Sequence, residues 1–153
     1  MSLKTRALRY LSQREHSRLE LQRKLARYAE ESDDIDAVLD WLQQSNFLSQ
    51  ERFSESLVNR RAARFGNLRI MYELQGHALG DELTANVKVR LAGDEIERAC
   101  QVLRKKFDSP PADAEQRAKQ MRFLQQRGFS SSAIQAAIRV KREDGEDDTY
   151  SED

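Results

Sequence analysis

The sequence predicts an all-α protein made of three tandem three-helix repeats that form an elongated helical array. Apolar residues recur at helical spacing along nearly the whole chain of 153 residues, and β-branched residues are too scattered to form strands. One set of equivalent leucines is spaced by 46 residues each time: Leu11, Leu57 and Leu103. A second set is spaced by 49 and then 50 residues: Leu25, Leu74 and Leu124. Such periods are typical of stacked helical repeats; an ordinary helical domain with a chance period is the alternative.

The first predicted repeat covers residues 3–48. Its first helix carries an apolar stripe on one face. Ser17 is the predicted N-cap of the second helix, with Glu20 three residues later as the other half of a capping box. Either Ser32 or Asp33 can cap the third helix.

The second predicted repeat covers residues 49–92. Ser49 caps a helix that extends to about Arg64. Asn67 caps the next helix, which ends near Gly80. A shorter helix completes the repeat.

The third predicted repeat covers residues 93–142 and begins with a helix at Asp94. Two prolines then break the chain, and Pro111 can occupy the first turn of the following helix. Gly128 is the predicted residue just after that helix. A last helix is capped within Ser130–Ser132. Residues 1–142 are therefore expected to form one all-helical domain.

The charges are unevenly distributed along the chain. The sequence holds 26 basic and 26 acidic residues, but residues 143–153 contain seven acids and no base. Residues 1–142 consequently carry a net charge of about +7. We expect the acidic tail at 143–153 to be disordered, because it has too few apolar residues to fold. The basic body can meet a polyanion.

No targeting or membrane segment is recognisable in the sequence. No apolar run approaches the roughly 18–20 residues that a membrane span needs. The first thirty residues hold eight basic residues and no apolar block, unlike a secretion signal. We expect a cytoplasmic protein that has no membrane partner.

The single cysteine excludes an internal disulfide framework and a zinc site built from several cysteines. Its helical neighbours predict that it packs in the core: Ile96, Ala99, Cys100 and Leu103 would share a buried face. The two histidines, His16 and His77, fall in different repeats, and we predict no metal site and no cofactor. The paired carboxylates lie at helix boundaries, and no catalytic constellation or phosphate-binding loop is present. The sequence therefore predicts a protein without enzymatic activity, with a small hydrolase or nuclease as a rival.

The predicted partner-binding or DNA-binding surface is a group of arginines. Its members lie at the end of one helix and the start of the next: Arg60, Arg61, Arg64 and Arg69. Such a group can bind phosphates or an acidic protein surface. Compensation of helix dipoles and pairing with glutamates is the alternative, and both interpretations stay open. A second candidate group lies on an earlier helix: Arg23, Lys24 and Arg27. For residues 104–106 we favour dipole compensation.

Aromatic residues lie among these basic clusters, where they could stack on nucleic-acid bases. Their helical spacing favours a place in the core instead: Phe65, Phe107, Phe123 and Phe129. Trp41 is also predicted to be a core residue.

Three blocks of sequence stand in a recognisable order. The first combines Ala7-Leu8-Arg9-Tyr10-Leu11, Arg14-Glu15-His16-Ser17 and Glu20-Leu21-Gln22-Arg23-Lys24-Leu25. The second combines Phe47-Leu48, Glu51-Arg52-Phe53, Arg60, Phe65-Gly66, Arg69-Ile70 and Glu73-Leu74. The third combines Met121-Arg122-Phe123-Leu124, Arg127-Gly128-Phe129 and Ile134. With these blocks, over residues 5–138, the chain resembles the RecX family of regulators of the bacterial RecA recombinase.

This resemblance implies a non-enzymatic modulator, mainly an inhibitor, of RecA. RecX proteins bind RecA filaments on single-stranded DNA and suppress ATP hydrolysis, strand exchange and co-protease activity, which connects them to DNA repair, recombination and the SOS response. The implied partner is thus the RecA filament, with a weak direct DNA contact beside it. A monomer is expected, because no long heptad run is present.

The sequence departs from the family pattern in two places. Phe65-Gly66-Asn67-Leu68 stands where the family tends to place Gly-x-Gly-Pro, and residues 75–79 replace a charged stretch that usually ends in Gly-Ile. The rival function is a direct DNA-binding protein that competes for phosphates; the acidic tail argues against it, because the tail can occupy the same basic surface.

Overall fold

The computed structural model describes residues 1–140, which are helical with no strand. The predicted all-α class is confirmed. Eight helices have defined bounds: α1 Leu3–Gln13, α2 Arg18–Ala26, α3 Ile35–Gln44, α4 Gln50–Arg61, α5 Asn67–Gln75, α6 Asp81–Ala92, α7 Glu95–Lys106 and α8 Ala114–Gln126. A further helix, α9, covers residues 131–140, where the described part ends. The predicted acidic tail at 143–153 lies outside the described residues.

Several predicted caps are confirmed by their hydrogen bonds. The Ser17 hydroxyl accepts from the Glu20 amide at 3.1 Å, and the Ser49 hydroxyl accepts from the Arg52 amide at 3.1 Å. Ser130 caps α9 in the same way, accepting from the Ala133 amide at 3.2 Å. Each hydroxyl satisfies an amide that has no partner within its own helix.

Some predicted boundaries are wrong. The N-cap of α3 is Asp34, whose side chain accepts from Ala37, because the Asp33 carboxylate is already bonded to the Glu30 amide at 2.9 Å. Pro111 does not enter α8. Asp113 takes the N-cap position two residues later.

Two further ends also differ from the prediction. α4 ends at Arg61 and is followed by a turn at residues 62–64, so it does not reach Arg64. Asn67 is the first residue of α5 instead of its cap, because its side-chain oxygen accepts from Arg98. α5 then ends at Gln75, five residues before Gly80.

The chain folds into two compact units. Unit 1 comprises Met1–Val58 and Leu74–Thr84, and unit 2 comprises Asn59–Glu73 and the described residues from Ala85 onward. Unit 1 has a leucine-rich core made by its first three helices and the segment after them: Leu3, Ala7, Leu21, Leu25, Leu39, Leu42 and Leu48. The single domain over 1–142 and the repeat boundaries after residues 48 and 92 stay predictions.

The core of unit 2 is built by α7, α8 and α9. Its buried members include Ala99, Cys100, Val102, Leu103, Leu124, Phe129, Ile134, Ala137 and Ile138. Phe107, Met121, Phe123 and Val140 pack against this cluster while remaining partly exposed. The core predictions for Cys100 and Phe129 are confirmed, whereas Phe107 and Phe123 lie at the core margin.

The buried face of α7 differs from the prediction. Ile96 is 47% exposed, whereas the polar residues Glu95 and Arg98 are buried. The helix is rotated so that these two charged side chains reach polar partners inside unit 2, and Ile96 then faces outward. Trp41, expected in the core of unit 1, lies at its edge beside Phe47.

Among residues 1–140, no helix is both long and apolar enough to cross a membrane.

Candidate interaction surface

A buried arginine holds the turn between α4 and α5. Arg98 donates to the carbonyl of Phe65 at 2.8 Å and to the carbonyl of Ala62 at 3.2 Å. Carbonyls at and beyond a helix C-terminus need partners from elsewhere in the fold. The carboxylate of Asp94 accepts from Arg98 Nε at 2.9 Å, and Asn67 Oδ1 accepts from the same guanidinium. The backbone of this turn is thus fixed from α7.

A buried carboxylate holds the start of α5 and the start of α9. Glu95 Oε2 accepts from the backbone amide of Asn67 at 3.0 Å and from that of Ser130 at 3.1 Å. Its other oxygen accepts from the Ser130 hydroxyl at 2.7 Å. Negative charge is favourable near helix N-termini, where backbone N–H groups lack partners. Glu95 therefore links the two helix starts within unit 2.

Two glycine turns pass each other in close backbone contact. The Gly66 amide donates to the Arg127 carbonyl at 2.8 Å, and the Leu68 amide donates to the Gly128 carbonyl at 3.0 Å. A Cβ atom at Gly66 would lie 2.3 Å from the backbone of Phe129. No residue with a side chain fits there without a backbone shift.

Gly128 completes this close approach from the other side. It adopts φ +84°, and a Cβ atom on it would lie 2.4 Å from the Cβ of Arg69. The two turns consequently bring Phe65, Arg69 and Arg127 next to one another.

Three guanidinium groups surround the ring of Phe65. The Cζ atom of Arg69 lies 4.0 Å from the ring centroid, that of Arg64 5.4 Å, and that of Arg127 5.6 Å. Arg127 also lies 5.0 Å from the centroid of Phe123. We call these five residues the cation–aromatic cluster. Each contact of this kind contributes about 0.5–1 kcal/mol at exposed sites, so the rings hold the cations in place.

The cluster carries positive charge that no carboxylate of residues 1–140 neutralises. The ion pairs formed in the described part involve other arginines: Arg14, Arg18, Arg52, Arg61 and Arg98. The arginines of the cluster therefore remain available to an external anion.

A cleft of about 210 Å³ opens beside the cluster. Its lining combines aliphatic and aromatic side chains with a basic rim: Ala63, Arg64, Val102, Lys105, Lys106, Phe123 and Arg127. The Lys106 ammonium lies 5.8 Å from the Phe123 centroid, and Phe107 packs edge-on against Phe123 at 5.6 Å.

The predicted group of four arginines is divided in the structure. Arg64 and Arg69 meet at Phe65. Arg61 instead forms two 3.0 Å hydrogen bonds with the carboxylate of Glu73, and this bond raises the pKa of Arg61 above its usual value. Arg60 is exposed near the end of α4. The binding role of all four remains a prediction.

The second predicted group, in unit 1, is also divided. Arg23 and Arg27 are exposed, and Arg27 lies just beyond the end of α2. Lys24 turns inward: its ammonium donates to Nε2 of His16 at 2.8 Å and lies 4.9 Å from the ring of Tyr10. Lys24 is thus engaged by side chains of unit 1. The binding role of this group remains a prediction.

His16 is a buried neutral residue. Burial lowers its pKa, the hydrogen bond to the Arg14 carbonyl opposes that shift, and the positive charges of Arg14 and Lys24 lower it further. Because Lys24 donates to Nε2, the ring proton resides on Nδ1 and is donated to the Arg14 carbonyl at 3.0 Å. Burial alone would raise the pKa of Glu20, but the hydrogen bond with Arg14 and the positive charges of Arg14 and Lys24 together outweigh that effect, so the pKa is lowered.

The sequence interpretation missed the residues that complete the cluster. Arg127 was part of a family block but of no candidate site, and Phe65 and Phe123 were assigned to the core. The signal was present in the repeated pattern of a basic residue beside Phe and Gly, which occurs at 64–66 and again at 127–129.

Comparison with known proteins identifies the family. A family model described as the first three-helix domain of RecX matches residues 4–42, and one described as the third three-helix domain matches residues 93–138. A regulatory protein RecX from Herbaspirillum seropedicae is 66% identical over 147 residues, which cover 96% of each chain. The chain belongs to the RecX family.

Other RecX proteins show how far this similarity extends. Regulatory protein RecX from Herminiimonas arsenicoxydans is 62% identical, over 94% of this chain and 95% of its own. The crystal structure of RecX from Lactobacillus salivarius superposes with a TM-score of 0.76 at 20% identity, covering 90% of this chain and 93% of that one. This second match concerns the fold, and with the family models it confirms the predicted three-helix repeats.

Proposed function

We propose that this protein is a non-enzymatic regulator of the RecA recombinase. It binds the RecA filament on single-stranded DNA and suppresses ATP hydrolysis, strand exchange and co-protease activity. Membership of the RecX family supports the regulatory role, since close relatives carry the name regulatory protein RecX.

One structural observation supports the choice of surface. The cation–aromatic cluster presents three arginines that no carboxylate of the described chain pairs with. A nucleoprotein filament offers both phosphates and acidic side chains to such a surface. Arg60, on the neighbouring helix, extends the same contact.

The mechanism that we propose is contact with adjacent recombinase subunits. Binding across two neighbours perturbs their interface and favours net disassembly of the filament. Co-sedimentation measures this directly: the protein should pellet with filaments, and binding to free recombinase alone would contradict the mechanism.

The first experiment is a titration of this protein into RecA that hydrolyses ATP on single-stranded DNA, with an unrelated DNA-dependent ATPase as control. We expect inhibition of the recombinase alone, at ratios below one protein per recombinase subunit. The double variant Arg60→Glu and Arg64→Glu should inhibit less while remaining folded. Arg117→Glu with Lys119→Glu, at two exposed positions of α8 outside the cluster, is the control with the same change in net charge.

Direct competition for DNA is the alternative function, and the exposed positive charge of the cluster favours it over other rivals. It predicts inhibition of both ATPases and binding to naked DNA with a steep salt dependence, because each phosphate contact adds nearly one unit to the slope. Deletion of residues 143–153 should strengthen naked-DNA binding at low salt. An unchanged affinity would show that the tail does not compete for the basic surface.

A further inference from the structure

The cleft beside the cation–aromatic cluster combines two chemistries that suit one kind of ligand. Its rim carries four cations, Arg64, Lys105, Lys106 and Arg127. Its wall includes the aliphatic side chains Ala63 and Val102 and the ring of Phe123. None of the four cations forms an ion pair with a carboxylate of residues 1–140. An acidic peptide with one apolar side chain matches this combination.

The aromatic rings of the cleft are already covered, which disfavours nucleic-acid bases as ligands. Arg127 and Lys106 lie over Phe123, and Phe107 packs against its edge. Proteins that bind single strands stack bases on open aromatic faces. Here a base would first have to displace a cation, whereas carboxylates can bond to the cations where they stand.

The chain itself contains a peptide of the required chemistry. Residues 143–153 carry seven acids and no base, and a single aromatic residue, Tyr150, stands among them with Asp148 two positions before it and Glu152 two positions after it. The charge of this segment is opposite to that of the cleft, and its aromatic ring provides the apolar group.

The segment also begins close enough to reach the cleft. Val140, the last described residue, packs against the same core cluster as Phe123, and that cluster includes Val102. Tyr150 lies ten positions after Val140, and an extended chain spans about 33–36 Å over ten positions. The tether therefore allows the contact without any rearrangement of unit 2.

We propose that residues 143–153 bind in the cleft of unit 2, with Tyr150 against the aliphatic side chains Ala63 and Val102 and the acidic side chains on the four rim cations. A tether of this length supplies an effective concentration in the millimolar range. A segment affinity of about 1 mM is therefore enough to fill half of the clefts, and an external acidic ligand must displace the tail. The contact is intramolecular and does not depend on the recombinase.

The test uses the full chain with a nitroxide spin label at Ser151→Cys. The buried Cys100 should take no label, which the unsubstituted chain checks. We expect paramagnetic broadening of the backbone amide signals of Arg64, Lys106 and Arg127 at low salt, and its loss at about 0.5 M salt, where charges are screened within a few ångströms. Uniform weak broadening over the chain, or broadening centred on Arg23 and Arg27, would overturn the proposal.

Two variants separate the chemistry of the site from general attraction between charges. Lys105→Gln with Arg127→Gln should reduce the broadening at Arg64 several-fold, whereas Arg117→Gln with Lys119→Gln, which removes the same charge elsewhere on α8, should leave it unchanged. Tyr150→Ala in the labelled chain should also reduce it, because the apolar anchor is lost. Equal broadening in Tyr150→Ala would show that charge alone drives the contact and that the cleft is not its site.

Adding an oligonucleotide identifies the competing occupant. We expect single-stranded DNA to bind in the cleft only by displacing the labelled tail. The amide signals of the cleft should therefore shift and lose their paramagnetic broadening together. If the labelled tail does not broaden the cleft signals and DNA nevertheless shifts them, the cleft binds nucleic acid and the proposal is overturned.

Discussion

The basic groups of unit 1 and unit 2 look alike in sequence but are used differently in the structure. In unit 1, Lys24 is drawn to the buried ring of His16, and Arg14 is paired with Glu20. In unit 2, Arg61 is paired with Glu73, but Arg64 and the other cluster arginines lie on aromatic rings. A carboxylate partner neutralises a cation, whereas an aromatic ring positions it and leaves its charge exposed. The neighbours of a basic residue, more than its presence, decide whether it is available to a partner.

The largest expected effect is on the glycine contact that builds the cluster. Gly66→Ala should destabilise the protein by more than about 2 kcal/mol, because its Cβ would collide with backbone that cannot move cheaply. Gly93→Ala is the matched control, since its Cβ would meet only the Arg90 carbonyl at 3.5 Å. Urea unfolding monitored by circular dichroism measures both; equal midpoints would contradict the close contact.

The buried arginine of unit 2 gives the next largest effect. Arg98→Met should lower the free energy of unfolding by about 2–3 kcal/mol, because the Ala62 and Phe65 carbonyls lose charged donors. Lys88→Met, at an exposed position of α6, should change it by less than about 0.5 kcal/mol. If the two variants unfold at the same denaturant concentration, Arg98 does not hold the turn.

Charge reversal compares the two basic groups directly. Arg64→Glu with Arg69→Glu should weaken filament binding about tenfold or more, while Arg23→Glu with Arg27→Glu should weaken it less. Both pairs change the net charge equally, so long-range attraction is matched. Co-sedimentation at one salt concentration gives the two affinities, and a larger loss for the unit 1 pair would reverse the assignment.

The smallest expected effect is the pH dependence contributed by unit 1. The pKa of His16 is lowered in the folded state, so the unfolded chain binds its proton first as the pH falls. His16 consequently costs stability below its unfolded pKa of about 6.5. His16→Gln should lose less stability than the unsubstituted protein between pH 7.5 and 5.5 in urea unfolding. An identical loss in both would mean that His16 is not held neutral.

Glu20 adds a second titration at lower pH. Its folded-state pKa is lowered, so its contribution is present above its unfolded value, about 4.3, and is lost as the pH falls through the folded value. The stability lost below pH 4.5 in urea unfolding should therefore be smaller in Glu20→Gln than in the unsubstituted protein.

The helices and most of their caps could be predicted because they depend on neighbouring residues. Ser17, Ser49 and Ser130 each bond to an amide three residues later, and a local pattern contains that information. The α3 cap was misassigned among adjacent candidates, since Asp33 had a competing bond to Glu30.

The candidate surface was predictable only in part, because it depends on contacts between distant segments. Arg64 and Arg69 could be grouped from a short turn. Arg127 joins them through backbone bonds to residues about 60 positions away, and no local spacing reveals that. The hydrogen bond that Arg61 donates to Glu73, on the following helix, is also a tertiary contact.

The order in which the ribosome synthesises this chain determines when the three hydrogen bonds of Glu95 can form. Asn67 is synthesised 28 residues before Glu95, and Ser130 follows 35 residues after it. At about 5–20 residues per second, the start of α5 waits roughly 1–6 s for its carboxylate, and the carboxylate waits about 2–7 s for Ser130. During that interval Phe65 lacks Arg127, the last of its three arginine partners to be synthesised. Unit 2 closes only after nearly the whole chain has been made.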